Sequence, residues 1–505
     1  MKHLRKFNLL LVLILIGNTL AFGGTPVSDD NTVLVPVKED PTISFRLWFK
    51  VGSQDDPKGK EGLAYITSAM LAEGSTESRT YEEIVSALYP LAASYDANTH
   101  VEQTVFYGRV HKDNLDRYYE LYTDAVLNPA FTEEDLSRIK SQVLNYLENT
   151  LRYSSDEELG KSALYNFVYE GTPYGHIPEG TVESVKSITV EDVRAFYKEN
   201  FCKENVVIGL GGGYDKKLVN QLQQDLGNLP SNENVTTVTT PEPAKIDGRE
   251  VRIVEKDANA TAISIGFPID ILRGEREWYA LALANSYFGE HRNSSSHLYQ
   301  VIREARGLNY GDYSYIERYP NGGRRSKPMQ NVSLRRQMFE IWIRPVPNKT
   351  KHFVLRTTIR ELEDFVENGL TEEEFELTQQ FFSKYVLHYA PTTMARLGYA
   401  LDDEFYGIDG SHLEKFRTII PTLSREEVNA AIKQQLQYKD LKIAMVTNDA
   451  DSLKSALVNE TPSPIEYGTP KDDNVYEADK IIKDYPLNIS ADDVEIVPVE
   501  KMFAK

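Results

Sequence analysis

Metal sites and acid–base sites in proteins are built mainly from histidine, cysteine and acidic side chains, and this chain has nine histidines and one cysteine. No two histidines stand four residues apart, so the sequence offers no helical pair of zinc ligands. His291 and His297 are six residues apart, which is too wide for one helical face. His100 and His111 lie on or beside predicted strands. Each is therefore interpreted first as a surface residue or a hydrogen-bonded core residue.

Two other kinds of site can be tested by their motifs. The chain has no Gly-x-Ser-x-Gly sequence, which is the usual nucleophile turn of an α/β-hydrolase. The run GLGGG at Gly209–Gly213 suggests a phosphate loop, but no P-loop lysine or suitably placed acid follows it. Neither a serine hydrolase nor a nucleotide site is indicated.

The composition and the N-terminus predict an exported globular protein. With 505 residues and 41% hydrophobic content, the chain is long enough for two or more domains. Its net charge of −20 argues against general nucleic-acid binding, which needs a basic surface. Basic residues precede an apolar run at 9–16 and the small-residue pattern at 21–23, as in a secretory signal peptide. No later run reaches transmembrane length, and Cys202 has no partner for a disulfide within the chain.

The pattern around Gly62–Ser75 predicts a buried helix, because the run is nearly all apolar and its apolar residues recur at helical spacing. Before it, apolar and polar residues alternate over Ile43–Gly52, which predicts a strand buried on one face. Later in this half we expect a helix at 81–91, a strand at 94–110, helices at 112–127, 132–153 and 191–200, and a strand at 205–212.

The order of elements then repeats. FTEEDLSRIKSQVLNYLENT at 131–150 corresponds to LTEEEFELTQQFFSKYVLHY at 370–389, and a helix running into Arg303 precedes a strand expected near Tyr310. The predicted fold class is α+β, with two homologous layered α/β halves related by internal duplication and a site in the cleft between them. The predicted segments are a signal peptide (1–23), an N-terminal domain (24–235), a linker (236–249), a C-terminal domain (250–460) and an unassigned extension (461–505).

These patterns, taken in order, resemble the pitrilysin/insulinase-type zinc metallopeptidases and in particular their processing-peptidase-like branch. In the first half the resemblance rests on VGSQDD, GLAYITSAMLAEGS, DANTHVEQTVFYG and PYGHIPEGTVESVKSIT; in the second half it rests on SSSHLYQVIREARGLNYGDYS. It covers the chain from about Val33 to Asp449. It implies a half-clam fold whose chamber admits extended peptides and excludes folded proteins.

In peptide-cutting members of the family, the first-half helix carries H-x-x-E-H, and a later glutamate is the third zinc ligand. The resemblance places Tyr65, Ser68 and Ala69 at the three motif positions and Tyr146 at the third-ligand position. Glu148 follows two residues later, which on an α-helix is the opposite face. We therefore expect no zinc and no general base in this chain.

The resemblance also implies a site in the second half. Active members use an arginine and a tyrosine seven residues apart to hold substrate and stabilise the transition state, and Arg303 and Tyr310 match that pair. The family also binds peptide by strand addition along the strand after the zinc helix, where its Asn-Ala pair corresponds to Asp96 and Ala97 here.

Three hypotheses follow. The first is an exported, periplasmic or secreted, non-catalytic subunit of a two-chain zinc peptidase, which supplies Arg303 and Tyr310 to a partner bearing H-x-x-E-H and the zinc ion. The second is a catalytically inactive structural or peptide-binding homologue. The third is a self-sufficient peptidase that uses residues the sequence does not reveal.

Overall fold

The computed structural model describes residues 29–235 and 239–505. The predicted signal peptide and residues 236–238 of the predicted linker lie outside the described residues. The described chain forms two β-sheets with helices packed on them. None of the helices within these ranges is both long and apolar enough to cross a membrane.

The first sheet has five strands in the order β1-β5-β2-β4-β3. Strand β1 is parallel to β5, and the other neighbours are antiparallel. The strands are β1 (Thr32–Pro36), β2 (Thr42–Phe49), β3 (Ser94–Thr99), β4 (Thr104–His111) and β5 (Val206–Gly212). The single strand expected at 94–110 is thus a hairpin of two strands, β3 and β4, which pair from Ser94–Arg109 to Thr99–Thr104.

The second sheet has six strands in the order β11-β6-β10-β7-β9-β8. The strands are β6 (Arg249–Glu255), β7 (Ala260–Ile269), β8 (Asp312–Tyr315), β9 (Gln337–Pro347), β10 (Leu441–Thr447) and β11 (Val494–Pro498). Without β11, this sheet has the same strand order and directions as the first. The predicted α+β fold of two similar layered halves is confirmed.

Sixteen α-helices connect the described strands, and the two halves start equivalent helices in the same way. Thr132 accepts a hydrogen bond from Asp135 N (3.1 Å), and Thr371 accepts one from Glu374 N (3.3 Å). The first eight are α1 (Leu63–Glu73), α2 (Tyr81–Leu88), α3 (Leu115–Leu127), α4 (Glu133–Asn145), α5 (Asp156–Val168), α6 (Val182–Ser187), α7 (Val190–Asn200) and α8 (Lys216–Leu226). The rest are α9 (Arg276–Gly289), α10 (Lys351–Asn368), α11 (Glu372–Tyr385), α12 (Thr393–Tyr406), α13 (His412–Ile419), α14 (Arg425–Gln435), α15 (Ala450–Val458) and α16 (Asp473–Ile482).

The two halves exchange a helix. Helix α5 of the first half packs on strands β7 and β10 of the second sheet, and α12 of the second half packs on β1, β2 and β5 of the first. A small residue allows the close approach of α12: a Cβ atom on Gly211 of β5 would lie 3.1 Å from Thr393 Cγ2, whereas one on Gly160 of α5 would lie 3.5 Å from Ser264 Oγ, an ordinary contact distance. Within the GLGGG run, Gly209 and Gly211 therefore allow α12 to pack closely, while Gly212 and Gly213 lie against the carbonyls of Thr42 and Asp40.

The exchanged helix corrects the prediction for strand β2. Its alternation suggested one solvent-facing side, but every residue from Ile43 to Phe49 is buried, including Ser44 and Arg46. The prediction was wrong because α12 covers the second face. The Arg46 guanidinium donates through Nη1 to the Asn331 side chain and through Nη2, at 3.4 Å, to the Met394 carbonyl, so two of its three nitrogens are bound across the interface.

The C-terminal extension belongs to the second half and also reaches the first. Strand β11 joins the second sheet beside β6. The buried Arg356 donates to the carbonyl of Thr461 (2.9 Å) and to Ser463 Oγ (3.0 Å). Beyond β11, the Met502 carbonyl accepts two hydrogen bonds from Arg152 of the first half (3.0 and 2.6 Å).

Enlarging the small residue beneath α12 should weaken the fold. We expect Gly211→Val to lower the free energy of unfolding by about 1–3 kcal/mol, because its side chain would overlap Thr393 and Leu397. Urea unfolding followed by fluorescence measures the change. The control is Gly468→Val, at a position where an added Cβ meets no atom within 4 Å. Equal stability of the two variants would contradict the close packing of α12 on β5.

Candidate functional site

Helix α1 begins at a glycine held by an acidic residue of the preceding loop. Gly62 caps the helix with φ of 99°, and the Asp56 carboxylate accepts hydrogen bonds from Gly62 N and Ala64 N, both at 2.7 Å. His176 Nε2 lies 3.1 Å from the same carboxylate. A carboxylate at this end also interacts favourably with the helix dipole. The VGSQDD and PYGHIP motifs thus fix the start and orientation of α1.

The three positions of the expected zinc motif lie on α1 as the sequence predicts, but they carry no zinc-binding set. Tyr65 and Ala69 are half-buried, and Ala69 has no side-chain donor atom. Ser68 is 2% exposed; its hydroxyl donates to the Tyr65 carbonyl (2.9 Å) and lies 2.7 Å from Thr99 Oγ1. The serine oxygen is therefore already engaged.

Tyr146, which the resemblance places at the third-ligand position, lies directly after α4. Burial, together with the nearby charge of Glu179, raises the pKa of both Tyr146 and Tyr65, so both phenols are neutral at physiological pH. Glu148 lies on the surface, where its carboxylate is 3.3 Å from Lys186 Nζ. The segment Tyr146–Ser154 is π-helical, and two residues along a π-helix still turn through roughly half a circle, so Glu148 remains on the face opposite Tyr146.

The residues at these four positions do not fit a zinc ion. Zinc in proteins is held by thiolate, imidazole or carboxylate groups, and none of these is present at 65, 68, 69 or 146. Across residues 29–235 and 239–505, no cluster of three or more His, Cys, Asp or Glu side chains could hold a metal ion. The donor set provides neither a zinc ligand nor a general base.

A polar cavity of about 120 Å³ lies beside Tyr146, between the two halves. Inside it, Lys161 Nζ is 3.1 Å from the Glu340 carboxylate, and burial raises the pKa of Glu340 and of Glu179. The buried Tyr165 hydroxyl and Arg318 Nη1 on its wall have no hydrogen-bond partner among the described residues. The cavity can therefore accept polar groups or ordered water.

Arg303 and Tyr310 lie in the second half, on either side of a surface loop. Arg303 ends a π-helical turn (Tyr299–Glu304), and its side chain is 35% exposed, 3.1 Å from Glu304. Tyr310 lies two residues before the edge strand β8, which begins at Asp312 and confirms the strand expected near Tyr310. Tyr310 is 77% exposed, and its hydroxyl forms no hydrogen bond with any residue in the described ranges. No hydrogen bond, ion pair or ring contact in those ranges joins either residue to Tyr65 or Tyr146.

Asp96 and Ala97 lie on β3, the edge strand of the first sheet. The outer edge of β3 pairs with no described strand, so its main chain can accept an added strand. Asp96 Oδ1 accepts a hydrogen bond from Ala97 N (2.7 Å), and Tyr107 OH donates to Asp96 Oδ2 (3.4 Å). The Asp96 side chain therefore already occupies one N–H that an added strand would use.

A buried carboxyl group in the second half was not predicted from the sequence. Glu290 follows α9, the counterpart of α1, and lines a second cavity of about 80 Å³ with Tyr319, Tyr389 and other aromatic side chains. Burial raises the pKa of Glu290 from its usual 4.5 to about 7, against the Ser286 hydroxyl and the charge of Lys327. An acidic residue next to a histidine, after an apolar helix, was the only signal in the sequence.

Two models of one protein family match the chain in order. "Insulinase (Peptidase family M16)" matches residues 32–180, which include α1 and Tyr146. "Peptidase M16 inactive domain" matches residues 187–381, which include Arg303 and Tyr310.

Individual relatives agree with the family models. An uncharacterized zinc protease from Rickettsia bellii is 27% identical over 284 residues, which are 56% of this chain and 66% of that protein. One from Mycobacterium tuberculosis is 25% identical over 403 residues, which are 79% of this chain and 86% of that protein. A crystal structure described as a peptidase M16 inactive domain from Pseudomonas fluorescens has a TM-score of 0.72 at 24% identity, covering 83% of this chain and 95% of that one.

The missing zinc ligands can be tested by restoring two of them. Tyr65→His/Ala69→His places two histidines four residues apart on α1, and we expect this variant to bind zinc. Zinc at tenfold its Kd should then stabilise the variant by about 1.4 kcal/mol and leave the wild-type chain unchanged. Thermal unfolding with and without zinc, plus metal analysis, measures both. The control is Tyr65→His alone. Stoichiometric zinc in the wild-type chain would contradict the fit argument.

The raised pKa of Glu290 predicts a pH-dependent stability. In the folded chain the Glu290 carboxyl keeps its proton up to about pH 7, whereas in the unfolded chain it loses the proton near pH 4.5. The contribution of Glu290 to the free energy of unfolding therefore falls as the pH rises between those two values. Between pH 4.5 and 7 the free energy of unfolding of the wild-type chain should fall by roughly 3 kcal/mol relative to that of Glu290→Gln. Urea unfolding at pH 4.5 and 8 measures it. The exposed control Glu376→Gln should show no such change, and a pH-independent Glu290→Gln difference would refute the assignment.

Proposed function

Because the chain belongs to the insulinase-type M16 peptidase family, we propose that it is the non-catalytic, substrate-binding subunit of a two-chain zinc peptidase. In this proposal a partner chain with an intact H-x-x-E-H motif holds the zinc ion and the general base. The present chain supplies Arg303 and Tyr310 to the partner's site. The substrates are unstructured peptides, because a half-clam chamber admits extended chains.

One contrast between the halves carries the proposal. On α1, the positions of the zinc ligands and the base hold Tyr65, Ser68 and Ala69, which offer neither. In the second half, Arg303 and Tyr310 keep the residue types and the spacing of the family's substrate-binding pair. Both are accessible, and the Tyr310 hydroxyl is free of partners among the described residues. The available chemistry therefore lies in the second half.

The two side chains suit a role at a zinc site provided by another chain. A guanidinium group can hold a peptide carbonyl or carboxylate through two parallel hydrogen bonds. A phenol can donate to the oxygen that becomes negative in the transition state. Neither residue needs a metal or a base of its own for these roles. A chain with only these groups would be inactive alone and necessary in a pair.

Two further features support parts of the proposal. The open edge of β3 offers main-chain groups for an extended peptide once the Asp96 carboxylate releases Ala97 N. Residues 1–23 have the pattern of a secretory signal, and the proposal accordingly places both chains outside the cytoplasm, in the periplasm or secreted.

The experiment mixes the purified chain with its zinc-bearing partner and follows cleavage of an unstructured fluorogenic peptide. We expect hydrolysis only when both chains are present. Arg303→Ala and Tyr310→Phe should each lower kcat/KM by about 100-fold, because each removes a group that stabilises the transition state. Metal analysis of each separate chain shows which one carries zinc.

Matched surface variants control for general effects of substitution. Arg117→Ala removes an exposed arginine of α3, and Tyr89→Phe removes the hydroxyl of a tyrosine that is 87% exposed. Both should leave the two-chain activity unchanged. Full activity of the partner alone would overturn the proposal. Peptide binding by this chain with no gain in cleavage would favour the inactive peptide-binding homologue.

A further inference from the structure

The loop between Arg303 and Tyr310 is held by two buried side chains that point inward. Arg306 and Asn309 are buried, whereas the Arg303 and Tyr310 side chains are accessible. Asn309 Nδ2 donates to Asp312 Oδ1 (2.6 Å) and to the Arg344 carbonyl (3.1 Å), which ties the end of the loop to the second sheet. The middle of the loop is held by Arg306.

Arg306 is bound by the C-terminal extension. Its Nε and Nη2 both donate to Asp479 Oδ1 of α16, at 3.0 and 2.9 Å, and the Arg306 side chain is only 4% exposed. Its Nη1 donates to the Val301 carbonyl (2.7 Å), within the π-helical turn that ends near Arg303. One guanidinium thus connects the turn that carries Arg303 to a helix 173 residues away in sequence.

The carboxylate is itself positioned from the other side. Tyr467 OH donates to Asp479 Oδ2 (2.7 Å), so both carboxylate oxygens are engaged. The backbone of the loop closes over this cluster, since Gly307 N donates to the Arg303 carbonyl (2.8 Å) and Gly307 has φ of 71°. A buried ion pair in which each guanidinium nitrogen and each carboxylate oxygen has a partner fixes geometry well, whatever its net contribution to stability.

We infer that residues 461–505 act as the support of the Arg303–Tyr310 loop, with Arg306 and Asp479 as positioning residues. The extension holds the loop through Arg306 and thereby sets the directions in which Arg303 and Tyr310 face. Its catalytic consequence rests on the proposed function; the support itself does not. A displacement of about 1 Å in a substrate-positioning group can cost two orders of magnitude in rate, so such a support matters.

The test is hydrogen–deuterium exchange on the isolated chain, which needs no partner. Asp479→Asn removes the charge that holds Arg306, and we expect amide exchange at 303–311 to rise at least about tenfold while the sheet amides are unchanged. Tyr467→Phe, a milder change to the same cluster, should give a smaller rise in the same segment and serves if Asp479→Asn folds poorly. The control Glu477→Gln lies on the same helix and is exposed. Exchange at 303–311 that does not change in either variant would overturn the inference.

A second readout separates positioning from general stability. In the two-chain assay, Asp479→Asn should lower kcat/KM by about tenfold in the native chain and by a smaller factor in an Arg303→Ala or a Tyr310→Phe background, because each background has already removed one of the two side chains that the support positions. Additive losses would overturn the positioning role. If amide exchange at 303–311 rises in Asp479→Asn but the native chain shows no activity with a partner, the proposed function is refuted. The inference that residues 461–505 support the loop would still stand.

Discussion

The exchange of α5 and α12 between the halves is the constraint on which the rest of the structure depends. Each sheet packs its own helices on one face and receives one helix from the other half on the opposite face. Where α12 lies on β5 this arrangement requires a small residue, and Gly211 meets that need. Close helix–sheet contact also explains why a charged residue such as Arg46 is buried and bonded across the interface. The halves therefore cannot be treated as independent folding units.

Within that framework the two halves differ in the side chains they offer for chemistry. The first half keeps the architecture of the catalytic helix: a carboxylate at its N-terminus, a glycine cap and the correct place beside β3. At the expected motif positions it carries tyrosine, serine and alanine, which pack and hydrogen-bond. The second half is joined by an extension that lies beyond residues 187–381, the part that the second family model matches. The backbone arrangement of the first half therefore does not determine its chemistry, because packing constrains the backbone whereas the side chains at a few positions determine reactivity.

Sequence patterns predicted the helices and strands well where the signal was local. The capped helices at Thr132 and Thr371 begin where the capping residues stand, and α1 spans Leu63–Glu73 inside the predicted Gly62–Ser75. The predictions failed where a distant segment intervened. The alternation of apolar and polar residues in β2 predicts one buried face, because the pattern reflects only the local sequence. In the folded chain α12 covers the other face as well. The prediction of one strand at 94–110 missed the turn between β3 and β4, because residues 100–103 contain no glycine, proline or Asn-Gly pair that would indicate a turn.

By itself the sequence determined the repeat, the family, and the absence of zinc donors at 65, 68, 69 and 146, because each depends on which residue occupies a position. Only the tertiary structure decided which faces of the sheets are buried and where residues 461–505 lie. It also decided that Arg306 meets Asp479. The physical reason is range: propensity, capping and alternation act over a few residues, whereas a buried ion pair between residues 173 apart exists only once the chain has packed around it.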